Sequence, residues 1–315
     1  MTTPQRSATV AWVVFAHRDA DHLRRLVRCL SEESAGCEVV IHLSTTGELS
    51  PDDMADIVGP QVRFAAERHQ VFWGDASLWK AIRSVLDDVV HTTTRDWVAI
   101  VPGDVAPVRP VGELSDYLAG TAADGVLSHR IIPQPAFGSP LTENQKRYFY
   151  RYFRMHPSHQ PEPRTAARLR WAGLALSLIP GVAFRAQRRG TVHQIGFRRW
   201  RSVFDEDVPC VKGGPFGFFR ASTLRRTLLQ NPRSGALERH FARSVLPDEA
   251  ALATMTVRDT STSLADHDLI AGFWEASAAH PGDLTIAQAQ RLFGDRGVFF
   301  SRKTSFADDL SAEVT

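Results

Sequence analysis

The chain has 315 residues, 43% of them hydrophobic and 23% charged, the make-up of an ordinary globular enzyme with room for a sizeable core. Three cysteines without CxxC spacing do not suggest a disulfide framework or a zinc site. The net charge of +2 is a sum of opposites: residues 145–201 hold thirteen Lys or Arg against the one acid Glu162, a local +12 that leaves −10 for the other residues. Only four of the 37 cations are lysines, namely Lys80, Lys146, Lys212 and Lys303. The plain reading of that bias is a GC-rich genome, and any functional lysine must be one of the four.

The first 130 residues alternate strands and helices. Val10–Ala16 is a short apolar, β-rich run, and DADHLRRLVRCL follows with Leu23, Leu26, Val27 and Leu30 at helical spacing. Glu38–Leu43 reads as a second buried strand. Ser77 caps a helix whose apolar face is Leu78, Ala81, Ile82, Val85, Leu86 and Val89. Trp97–Val101 is a third strand, ended by Pro102-Gly103, and Gly125–Ser128 is a further candidate. This order predicts an α/β fold built on a doubly wound, mostly parallel sheet. Ligands bind such sheets at the carboxyl ends of strands, which marks His17, Arg18, Asp19, Ser44, Gly103 and Asp104.

In the second half, ENQKRYFYRYFRMH and RTAARLRWAGLALSL read as helices, and KGGPFGFFR as a Gly-rich loop entering a strand or helix. Ser222–Leu229 is a short helix. Pro247-Asp248-Glu249 opens a helix to about Met255, Thr285 caps one through Phe293, and Val298–Phe300 is a late strand. No Pro/Ser-rich linker divides the chain. The expectation is a single domain over 1–315, with an α/β half at 1–130, a basic helical insert at 131–205 and a third part at 206–315. The most apolar stretch, Trp171–Phe184, is too short to span a membrane and contains Pro180. With no signal-peptide pattern at the N-terminus, the expected location is the cytoplasm of a bacterium.

Seven segments in order, VVFAHRDADHLRRLVRCL, VVIHLS, VFWGDASLWKAIRSVL, WVAIVPGDVAPV, KGGPFGFFRAST, LPDEAALATM and FFSRKTSF, give the chain its likeness. It resembles the core-2/I-branching β-1,6-N-acetylglucosaminyltransferase and peptide-O-xylosyltransferase family (glycosyltransferase family 14) across residues 10–310. The resemblance implies a GT-A-like fold and an inverting sugar transfer from a nucleoside diphosphate sugar, UDP-N-acetylglucosamine or UDP-xylose, to a hydroxyl of a saccharide or small-molecule acceptor. It implies no metal and no other cofactor. It assigns the catalytic base to Glu249 of Pro-Asp-Glu, and to Lys303, with Arg302 beside it, the charge on the departing diphosphate. It places His17, Arg18, Asp19, Ser44, Trp73, Gly74 and Asp104 at the donor, and Gly213, Gly214, Phe216 and Asp248 at the acceptor and transferred sugar.

Taken without the resemblance, these residues have simpler readings. Asp248 or Glu249 suits the cap of a helix, Arg302-Lys303 a solvated pair, His17 a strand end, and Trp73 and the aromatic-glycine turn core packing. The sequence also departs from the family. Ser44 stands in place of an acid, Asp104 comes one position early with Val105 in its usual slot, Gly214-Pro215-Phe216-Gly217 replaces a Gly-Ser-x-Trp turn, and Ile270 falls where an Arg precedes Trp274. A non-catalytic scaffold that binds an anionic polymer or membrane through the basic segment is therefore the competing reading. That segment interleaves aromatics such as Tyr148, Phe153, Trp171 and Trp200. It suits a pair of surface helices paired with the acidic remainder first, then an acceptor wall or a peripheral contact at the inner membrane face. No nucleic-acid motif accompanies it, so nucleic acid is not an expected partner.

Overall fold

A computed structural model describes residues 7–72, 74–136, 139–158, 161–186, 193–257, 261–274 and 281–306. The first half contains β1 (Val10–Ala16), α1 (Ala20–Glu33), β2 (Glu38–Leu43), β3 (Val62–Phe64), α2 (Ser77–Thr92), β4 (Trp97–Pro102), β5 (Val105–Pro107), α3 (Val111–Gly120) and β6 (Gly125–Val126). Next come β7 (His129–Ile132), α4 (Glu143–Phe149), β8 (Tyr150–Arg154), α5 (Pro163–Leu176), β9 (Val182–Ala186) and β10 (His193–Arg198). Then follow β11 (Cys210–Gly213), β12 (Gly217–Arg220), α6 (Ala221–Arg225), α7 (Ser234–Phe241), a 3-10 turn at Pro247–Glu249, and α8 (Ala251–Val257). The last elements are β13 (Leu264–Ala265), β14 (Ile270–Ala271), β15 (Leu284–Thr285), α9 (Ile286–Phe293), β16 (Phe300–Arg302) and β17 (Thr304–Ser305).

Seven strands form the central sheet in the order β3-β2-β1-β4-β12-β6-β13. The first four are parallel, and β12 runs against both of its neighbours. This is the doubly wound, mostly parallel α/β fold that the order of strands and helices predicts. Every residue of β1 is buried, and its alternation explains why both faces are covered. Val10, Trp12, Val14 and Ala16 pack with Leu23, Leu26 and Leu30 of α1. Ala11, Val13 and Phe15 pack on the other face with Ala81, Ile82, Val85 and Val89 of α2.

Two local expectations change. The helix expected from Glu143 through His156 stops at Phe149 and the chain continues as the strand β8. Tyr150 and Tyr152 are buried and Arg151 between them is exposed, a period of two that the helical reading overlooked. With β9 and β10, β8 forms a three-stranded antiparallel sheet in the basic segment. Ser77 is the first residue of α2 rather than its cap. The Asp75 carboxylate accepts the Ser77 N–H at 2.8 Å, and the Ser77 hydroxyl accepts the Phe72 N–H at 2.7 Å.

Gly103, just past β4, has to be a glycine. A Cβ there would lie 2.6 Å from the Ala16 Cβ and 3.2 Å from the Phe15 carbonyl. Both obstacles belong to the sheet and cannot swing aside. Gly103→Ala is expected to cost about 1–3 kcal/mol, read as a lower denaturant midpoint at unchanged slope. An unchanged midpoint would show that the edge of the sheet yields there.

Candidate active site

A cleft of about 2230 Å³ opens where β1, β2 and β4 end. Its lining contains His17, Arg18 and Asp19 after β1, Ser44 after β2, and Gly103 and Asp104 after β4. Gly74, Gly213, Gly214, Phe216, Asp248, Glu249, Arg302 and Lys303 line it too. All the residues singled out as a site therefore meet in one cavity, apart from Trp73, which lies outside the described residues. Three of the four lysines, Lys146, Lys212 and Lys303, line the same cleft. Codon bias alone would scatter the few lysines over the surface.

Glu249 ends the 3-10 turn that leads into α8, and it is ion-paired twice. Arg147 of α4 reaches its Oε2 at 3.0 Å, and Lys212 of β11 reaches the same oxygen at 2.9 Å. Its Oε1 accepts no hydrogen bond from a described residue, so one carboxylate oxygen is anchored twice and the other has no described partner. Asp248 beside it is buried, and burial first, then the Glu249 charge, pushes its carboxyl up to about 7. Two adjacent carboxyls thus have opposite surroundings, one between two cations and one buried with its pKa raised. Sequence reading placed Asp248 at the acceptor and did not foresee this contrast.

The sign of the resulting pH effect follows from the neutral form being favoured in the folded chain. Stability from Asp248 is fully present below the ordinary aspartate value near 3.8, falls as the pH rises from there, and is lost by about 7. Asp248→Asn is expected to flatten this decline in urea midpoints measured across that range. A decline as steep in the variant would assign the effect to other groups.

A second group of charges surrounds Asp104. Arg302 points one guanidinium nitrogen at the Asp104 carboxylate, 3.5 Å away, and lies over the Phe216 ring at 5.6 Å. Lys303 forms the turn between β16 and β17. Its N–H donates to the Asp104 carbonyl at 2.7 Å, and its own carbonyl accepts from Leu284 at 2.9 Å. Among the described residues the Lys303 ammonium has no ion pair. Its backbone is left-handed, with φ 51°, and Asp19 (φ 60°) and Leu246 (φ 49°) share that conformation. These three non-glycine residues all line the cleft. Such strain costs about 1–3 kcal/mol per residue and concentrates at functional sites.

Other candidates are partly committed to structure. The Asp19 carboxylate caps α1 by accepting the His22 N–H at 3.0 Å. The Ser44 hydroxyl is bonded to Thr46 at 2.9 Å and accepts the Val71 N–H at 3.3 Å, so it does not simply replace an acid facing a ligand. Gly74 has φ 89°, a left-handed conformation that explains the glycine better than close approach does. His17 is exposed at the rim of the cleft, and partial desolvation first, then the Arg18 charge, lowers its pKa. Gly213 faces Leu127, which a Cβ would meet at 2.9 Å, so its role in packing is plain.

Sequence reading missed Arg147 and Lys212, the partners of Glu249, although the rarity of lysine was a signal for Lys212. It also missed Asp75, a buried acid 3.1 Å from Arg154. Several basic-segment cations do pair with acids: Arg147 with Glu249, Arg154 with Asp75, and Lys146 and Arg185 with Glu143. Arg188 and Arg189 lie outside the described residues. Among the described residues no group of three or more His, Cys, Asp or Glu is placed to hold a metal ion.

No family model matches this chain, and no curated protein matches it. Among solved structures it is similar to HddC from Yersinia pseudotuberculosis, at 13% identity and a TM-score of 0.27 over 48% of this chain and 66% of that one. It is also similar to a putative glucose-1-phosphate thymidylyltransferase from Bacillus anthracis in complex with a sucrose, at 7% identity and a TM-score of 0.30 over 71% of this chain and 77% of that one. A third likeness is to a mycobacterial protein, at 14% identity and a TM-score of 0.27 over 75% of this chain and 63% of that one. Scores this low decide nothing about chemistry.

Proposed function

We propose that this chain is an inverting glycosyltransferase that moves a sugar, N-acetylglucosamine or xylose, from a UDP-sugar to a hydroxyl of a saccharide or small-molecule acceptor, without a metal ion. The observation that carries this reading is one cleft holding a carboxylate with a free oxygen, Glu249, together with an unpaired cation, Lys303, at the carboxyl ends of parallel strands. The cleft volume of about 2230 Å³ leaves room for two substrates at once.

In this reading the acceptor hydroxyl gives its proton to Glu249 Oε1 as its oxygen attacks the anomeric carbon. The bond from that carbon to the β-phosphate oxygen breaks with its electron pair, and UDP departs. Lys303 and Arg302 meet the charge that grows on the diphosphate, the service a divalent ion performs in other transferases. Arg147 and Lys212 hold the carboxylate in position through its Oε2.

A UDP-release assay over a panel of UDP-sugars, with and without EDTA, tests the reading. Slow donor hydrolysis without acceptor, for one sugar and unaffected by EDTA, is the expected outcome. Release that depends strictly on Mg²⁺ or Mn²⁺ would overturn the metal-free mechanism. No release with any donor would favour the non-catalytic scaffold.

A further inference from the structure

Twelve large hydrophobic side chains are exposed among the described residues, and seven of them fall between Trp171 and Trp200. Five of these, Trp171, Leu174, Leu176, Leu178 and Ile179, lie at one end of α5 and in the turn that follows. Trp171 is 76% exposed, Leu178 85% and Trp200 102%. Leu174 and Ile179 are exposed beside them, and Phe197 opposes Val182 just past that turn. The face that α5 hides is set by Gly173, which lies against the Phe184 ring of β9 so closely that a Cβ would overlap it. That contact turns Arg164, Arg168, Trp171 and Leu174 outward, at spacings of three and four. The outer face is therefore basic in its first half and apolar in its second. Arg164, Arg168 and Arg170, like Arg201 further on, are exposed and have no ion pair among the described residues.

We propose that this face, residues 164–179 with Phe197 and Trp200, docks on an anionic lipid bilayer. Charge complementarity selects the occupant. Arg164, Arg168 and Arg170, exposed on this face, attract an anionic surface and repel a second copy of it. Leucine and isoleucine at the tip offer hydrocarbon, which acyl chains accept and which gives stacked bases nothing to stack on. Tryptophan with arginine is the pairing that settles at the boundary of headgroup and acyl chain. Among the described residues no helix is long and apolar enough to cross a membrane, so the contact is made in the plane of the surface. Val182–Ala186 of β9, on which α5 packs, form part of the cleft wall. Docking would therefore bring the cleft close to the bilayer. The inference is independent of the transfer chemistry.

Co-sedimentation of the full chain with vesicles tests it, comparing phosphatidylcholine alone with equal parts phosphatidylcholine and phosphatidylglycerol. Binding is expected only to the anionic vesicles and is expected to weaken steeply with salt. Trp171→Ser with Leu178→Ser, and separately Arg164→Gln with Arg168→Gln, should each reduce the bound fraction at least about tenfold. All four positions are exposed, and unchanged circular dichroism melting of each variant confirms that folding is intact. Equal binding to neutral vesicles, or retention by both double variants, would overturn the proposal. So would sedimentation velocity showing a dimer that Trp171→Ser with Leu178→Ser dissolves, because the apolar tip would then be a contact between copies.

Discussion

Glu249→Gln is expected to lower turnover with the accepted UDP-sugar by about a thousandfold, within the range of a lost general base. The substitution keeps the side chain's size and an acceptor oxygen but removes the charge that draws the proton. Arg147 and Lys212 lose their shared counter-ion, and both are about one-quarter exposed (23% and 22%), so water takes over much of that task. Stability should fall by no more than about 2 kcal/mol, and UDP should bind with unchanged affinity. Single-turnover kinetics with a titration of UDP separates these quantities. Full activity in Glu249→Gln together with loss in Asp248→Asn would transfer the base to Asp248, whose pKa near 7 suits that role.

Lys303→Gly is expected to move stability and activity in opposite directions. Glycine accepts φ 51° without strain, while lysine holds it at a cost. Relief of about 1 kcal/mol, partly offset by glycine's greater freedom in the unfolded chain, should leave the variant at least as stable. The two backbone hydrogen bonds of position 303, to Asp104 and from Leu284, are kept. What is lost is the ammonium. If it meets the diphosphate, turnover falls about a hundredfold or more. Arg302 alone does not make up for it, because its guanidinium also faces Asp104 and Phe216. A Lys303→Gly protein that is less stable and equally active would identify Lys303 as a turn residue.

Both predictions rest on residues that the ordered segments already marked, and the reason is physical. Pro-Asp-Glu, Arg-Lys and the strand-end His17-Arg18-Asp19 are contiguous in the chain, so local pattern can carry them. The partners of Glu249 are not. Arg147 lies 102 positions away on α4, and Lys212 is on the strand β11. Nothing local to either says which carboxylate it will meet. The strand β8 was legible in the alternation of Tyr150-Arg151-Tyr152, but the aromatic and basic composition made a helix look equally good.

The sequence by itself determined the layered α/β plan, because buried parallel strands and amphipathic helices declare themselves through period and apolarity within a dozen residues. It also determined the lopsided charge and the shortage of lysine. Only the tertiary structure decided that Glu249 stands between two cations while Asp248 is buried with its pKa raised. Only it decided that three rare lysines share a cleft, and that α5 turns arginines and tryptophan outward. Each of those results depends on how distant segments approach one another, and burial and charge pairing are properties of that approach rather than of any stretch of chain.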